Sequence, residues 1–152
     1  MADTVYIGED ARVFGNAKVS DNAKVSGNAR VFNNARIFGH AEVYENSQAH
    51  GNSWVYGNAQ VYGNAQVSDN ARVFGDAHVY GNSHVSGKAQ VYENAWVYGN
   101  AHILENSQVS GNSHVFGNAK VSGNANIHEN AKVYGDMQVL SDMSGDEQLP
   151  SV

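Results

Sequence analysis

Cysteine is absent from this 152-residue chain, and proline occurs once, at Pro150. Without cysteine there is no disulfide framework, no thiol nucleophile and no cysteine-based zinc site. The absence fits a reducing compartment and a cytoplasmic location. A single proline beside sixteen glycines excludes a collagen-like chain. No apolar run approaches the ~18 residues of a spanning helix, so a membrane is not an expected partner. The start, Met1-Ala2-Asp3-Thr4-Val5-Tyr6, lacks the basic and apolar regions of a secretory signal. Basic residues are also few. Nine Lys and Arg against fifteen Asp and Glu leave a formal charge of −6, which argues against nucleic acid as a ligand.

What is present is a six-residue repeat. Gly57-Asn58-Ala59-Gln60-Val61-Tyr62 is followed by Gly63-Asn64-Ala65-Gln66-Val67-Ser68 and by Asp69-Asn70-Ala71-Arg72-Val73-Phe74. A fixed short period marks a solenoid rather than a globular domain. One column is aliphatic, from Ile7 through Val13, Val19 and Val25 to Val139, with Ala49 as its one member that is not β-branched. Two residues earlier sits a small residue, Ala or, at 47, 53, 83, 107 and 113, Ser. A side-chain period of two puts both columns on the inner face of a short strand. The intervening residue and the one after the aliphatic point outward.

The remaining two columns form the turn. Asn precedes the small residue nearly every time, and Gly precedes Asn, but Asp21, Asn33, Glu45, Asp69, Glu93, Glu105 and Glu129 replace that Gly. Asn tolerates a left-handed backbone and Glu does not, so the Asn column is expected to hold the positive φ. Three hexads per coil would give a triangular prism, of about seven to eight coils and roughly 35 Å long at ~4.8 Å per coil. The solenoid spans 5–143. Val5, Met137 and Met143 stand at small-residue positions where they could plug its ends. An acidic tail, 144–152, follows; unless it covers the bare end, end-to-end association is open to the chain.

The fit of Val61-Tyr62-Gly63-Asn64-Ala65-Gln66 at its aliphatic and small positions resembles the hexapeptide-repeat family, and most closely its YdcK-like proteins of bacteria and phages. It departs at Tyr62, where the family favours Gly or an acidic residue. The resemblance implies an all-β, single-stranded, left-handed parallel β-helix. It also implies side-by-side trimers, and a phage or prophage accessory role is one expectation it carries. Enzymes of that family are acyltransferases with an extruded loop and a C-terminal helix, or γ-class carbonic anhydrases with three zinc-binding His. Here there is no such loop or helix. His84 and His102 lie 18 apart on one side, one ligand short of a zinc site unless a second subunit supplies it. A homotrimeric enzyme of either kind is the alternative to a non-catalytic binding or structural module. No catalytic residue, metal ligand or cofactor is assigned.

Residues 18 apart stack on one side of the prism, and this sorting yields the candidate site. A first side carries Tyr44, Tyr62, Tyr80, Tyr98, Phe116 and Tyr134, an unbroken outward ladder, with Trp96 beside Tyr98. A second side carries Phe38, Tyr56, Phe74 and Tyr92, with Trp54 beside Tyr56. A third carries Phe14, Phe32, His50, Ser68, Ser86 and Leu104. Tyr44, Tyr62, Tyr80, Trp96, Tyr98, Phe116, Tyr134, Trp54 and Tyr56 are the expected contacts for a second copy or a protein partner, with the two Trp as anchors. Stacked rings also stabilise neighbouring coils without any partner. Arg12, Lys18, Lys24, Arg30 and Arg36 form a basic belt around the first two coils.

Overall fold

The computed structural model describes residues 4–145. It is an all-β parallel solenoid of three eight-stranded sheets, one per side of the prism, with no helix among the described residues. Strands are two residues long, from β1 (Tyr6–Ile7) to β24 (Met143–Ser144), except for the three-residue β21 (Asn126–His128). Each pairs in parallel with the strand one coil away, as Gln60 does with His78 and Val61 with Val79. Two residues are too few to stand alone, so the ladder between coils supplies the backbone partners. Gln60 N–H donates to Ala77 O at 2.9 Å, Tyr62 to Val79 O at 3.0 Å and Asn64 to Gly81 O at 2.8 Å.

Sequence chemistry accounts for the interior. Every aliphatic from Val25 to Val133 is fully buried, as are the small residues between Ala23 and Ala131. Where Ser replaces Ala, its hydroxyl generally donates to the carbonyl three residues back, as Ser47 does to Tyr44 O at 2.7 Å. That bond satisfies a group that would otherwise be buried unpaired. Ser53 Oγ is an exception, with no partner.

The turn differs from the sequence expectation. Positive φ falls on the Gly column, not on Asn: Gly57 has φ 72° and Glu45 has φ 60°. The Asn side chains are committed to another task. They form ladders up the edges of the prism, each Nδ2 donating to the Oδ1 one coil on. The longest runs Asn28, Asn46, Asn64, Asn82, Asn100, Asn118 and Asp136, with bonds of 2.8–3.3 Å.

How the column tolerates acidic residues is visible in the stacking. A Cβ added at Gly57 would lie 2.9 Å from the backbone nitrogen of Gly75, one coil on. At positive φ in this column, a residue with a side chain is found with glycine above it. Asp21, Glu45, Asp69, Glu93 and Glu105 each have one, and each carboxylate accepts that glycine's N–H, at 2.6–3.1 Å. The charge-assisted bond offsets the strained φ.

The two ends are unlike each other. Val5, expected to plug the N-terminal end, is 39% exposed; beside it Ile7 is 47% exposed and Val13 and Val19 are half-buried. Among the described residues no coil lies beneath the first to cover its aliphatics. At the other end the last turn is two residues short, so Met143 takes the aliphatic place opposite Ile127 instead of a small-residue place. It is 2% exposed and closes the core, with Met137 half-buried nearby. The same shortening sets Gly145 over Glu129, preserving the rule of glycine above acid. Of the expected tail, Ser144 lies in the last strand and 146–152 lie outside the described residues.

Candidate functional site

In-register pairing brings the outward residues together in the expected columns. On the first side, Tyr44, Tyr62, Tyr80, Tyr98 and Phe116 stack with centroids 4.8–5.1 Å apart and planes within 6°, and Tyr134 follows Phe116 at 5.5 Å. A second column stands beside it. Trp96 stacks on His78 at 4.6 Å and on His114 at 5.8 Å, and each of these three rings meets the edge of a ladder tyrosine. On the second side Phe38, Tyr56, Phe74 and Tyr92 stack at 4.8–5.0 Å. Trp54 meets Phe38 and Tyr56 edge-on. On the third side Phe14, Phe32 and His50 make a shorter stack, and His84 lies parallel to His102 at 5.0 Å.

This geometry limits the chemistry. Within a ladder both faces of an interior ring are covered by the rings above and below, so only ring edges and hydroxyls meet solvent. A base or sugar has no face on which to stack, except at ladder ends. The two Trp are not bare anchors either. Trp54 is half-buried between the guanidinium groups of Arg36 and Arg72, whose Cζ atoms lie 5.2 and 5.0 Å from its ring, in cation–π geometry. Trp96 is half-buried between two His.

Burial raises the pKa of Tyr44, Tyr62, Tyr80 and Tyr98, with Glu45 adding to the effect at Tyr44 and Tyr62. Their hydroxyls stay protonated, and that of Tyr44 donates to Gln60 Oε1 at 3.3 Å. Burial lowers the pKa of His50, His78, His102 and His114, which are therefore neutral at pH 7. Lys132 lowers that of His114 further, and His84 and Lys120 that of His102. Among the described residues no three His, Cys, Asp or Glu side chains converge on one point. A recess of ≈ 320 Å³ at the N-terminal end is lined by Asp10, Arg12, Asn28 and Arg30. No helix among the described residues is long and apolar enough to cross a membrane.

Two features of these surfaces escape a reading of columns alone. One is the flanking stack of His78, Trp96 and His114, which required knowing that both outward columns of one side lie close enough to touch. The other is the open first coil, where Tyr6 is 55% and Phe14 44% exposed.

Residues 53–144 match the model of a family described as Bactofilin, polymer-forming cytoskeletal. The match covers more than half of the 152 residues. The chain belongs to the bactofilin family. Comparison with curated proteins found no match. Bactofilin membership overturns the expected YdcK-like hexapeptide-repeat identity. The six-residue period misled because any three-sided solenoid with 18 residues per coil must show it. The side-by-side trimer, the acyltransferase and carbonic anhydrase alternatives and the phage role rested on that resemblance and lose their basis with it. Self-association remains, on the bactofilin description.

Proposed function

We propose that this protein is the subunit of a cytoplasmic cytoskeletal filament, and that it polymerises through the ends of its solenoid. The observation that carries the reading is the open N-terminal coil. Val5, Tyr6 and Ile7 are exposed there, and Val13 and Val19 lie half-buried above them. In every interior coil the corresponding aliphatics are fully buried. The backbone adds to this. Carbonyls of Val25, Val31 and Ile37 accept from Gly8, Phe14 and Ser20. Those of Ile7, Val13 and Val19 have no such coil below them among the described residues. An edge of this kind pairs readily with another chain. A second copy stacked on it buries the apolar cross-section and extends the ladders.

The test replaces exposed residues only, so that the fold is spared. Wild-type protein viewed by electron microscopy should form filaments. Val5→Lys with Ile7→Lys should leave short particles while the far-ultraviolet circular dichroism stays unchanged. Filaments of normal length from the double variant would contradict the reading. In it the aromatic ladders, Tyr44 to Tyr134 on the first side and Phe38 to Tyr92 on the second, stiffen the rod by holding adjacent coils in register.

A further inference from the structure

Charge in this chain is sorted by position in the coil. Of all the outward strand positions, only Glu42 is acidic, and it is paired with Lys24 at 2.9 Å. The other acids of the described coils stand in the two turn columns, which form the edges of the prism. The bases do the opposite: all but Lys88 stand on the sides. The molecule is a prism with basic sides and acidic edges.

The third side carries Arg12, Arg30 and Lys120 and no acid. The second side carries Lys18, Arg36 and Arg72, all exposed, and its one acid is Asp142, at the far end beside Asn126. Neither Arg36 nor Arg72 has a carboxylate within ion-pair distance among the described residues. Each lays its guanidinium over Trp54 and leaves its N–H groups unpaired by any acid. The edge opposite this side, between the first and third sides, carries Glu9, Asp10, Glu45 and Asp136, all exposed, and no base. Glu45 uses one carboxylate oxygen on Gly63 N–H, which leaves the other for a partner.

The spacings also agree. Where the first turn column carries an acid, the next coil carries glycine, so acids there recur no more often than every second coil. Glu9 and Glu45 are 36 residues apart, two coils, about 10 Å along the axis. Arg36 and Arg72 are also 36 residues apart, on either side of Trp54.

We infer that the second side of one copy receives the acidic edge of another copy lying alongside it, Arg36 and Arg72 pairing with Glu9 and Glu45. The contact is heterologous, and because the acidic edge lies opposite the second side, copies related by translation repeat it outward into flat arrays. Each exposed ion pair is weak and screened by salt. Filaments present the pairs once per subunit along a shared axis, and the many weak contacts add up. Lateral association therefore follows polymerisation and does not occur between single subunits. This inference rests on the end-to-end filament proposed above.

The experiment is electron microscopy of filaments at 20 mM and 500 mM NaCl, for wild type, Arg36→Gln with Arg72→Gln, and Glu9→Gln with Glu45→Gln. Gln at 45 keeps an acceptor for Gly63 N–H. Wild type should form bundles at low salt and single filaments at high salt, with turbidity falling at least several-fold between the two. Either double variant should give single filaments at both. The reciprocal exchange, Arg36→Glu and Arg72→Glu with Glu9→Lys and Glu45→Lys, should restore bundles at low salt. Wild-type filaments that stay single at low salt, or bundles indifferent to salt and to both variants, would overturn the lateral contact and leave the end-to-end reading standing. No filaments in wild type would overturn both.

Discussion

Glu45 is the residue at which the logic of the chain is easiest to read. It sits at φ 60°, in a region that costs an ordinary side chain roughly 1–2 kcal/mol. Its carboxylate accepts Gly63 N–H at 2.8 Å. Glu45→Ala should keep the strain and lose the bond, lowering stability by about 1–2 kcal/mol. Glu45→Gln should lie close to wild type. Denaturant unfolding of the two variants checks this, and equal losses would mean that the bond contributes nothing. Val73 tests the interior. It is fully buried between Val55 and Val91, so Val73→Asp places a carboxylate among Val and Ala with no partner. The middle coils should unfold, and a normal melting temperature would show the column assignment to be wrong. Ala49 lies between Val31 and Val67 in the same column, fully buried. Ala49→Val should be tolerated if a gap remains beside it, as read by an unchanged or raised melting temperature.

At the scale of the element, the ladders decide what the sides do. Tyr62→Ser, Tyr80→Ser and Tyr98→Ser together remove four stacked contacts, from Tyr44 to Phe116. At about 0.2–1 kcal/mol per cross-strand pair the triple variant should lose roughly 1–4 kcal/mol. Filaments should still form, because the coil ends are untouched. Loss of filaments with the fold intact would place assembly on the ladder instead. The columns were legible because a strict period maps sequence position directly onto side, edge and core. The left-handed residue was not, because Asn and Gly both suit positive φ and single-turn composition does not separate them. The deciding sign was longer in range: each acid in the Gly column is followed by glycine one coil later. That pattern lies between coils, where the glycine N–H donates to the carboxylate, and no single hexad contains it. The orientation of the rings was likewise out of reach of the columns. That their faces are buried in one another follows from the separation of coils, close to the thickness of a stacked ring pair.

At the scale of the whole molecule, the two ends and the pH response matter most. Four His have lowered pKa values in the fold, chiefly through burial: His50, His78, His102 and His114. Between those lowered values and the ordinary 6.5, the unfolded chain binds more protons than the folded one. Their contribution is therefore constant above pH 6.5 and falls as pH drops below it. The melting temperature should decline between pH 7.5 and 5.5, and Gln at all four positions should flatten that decline. Family identity was the part of the whole-molecule account that the period could not supply, since three-sided solenoids share it. The central claim is polymerisation along the solenoid axis, and the axial repeat of the assembled protein tests it most directly. Eight coils at ~4.8 Å predict thin filaments with about 40 Å of axial length per subunit in cryo-electron microscopy, the cross-β spacing running unbroken from one subunit to the next. Discrete side-by-side particles, or filaments whose strands do not stack along the axis, would contradict it.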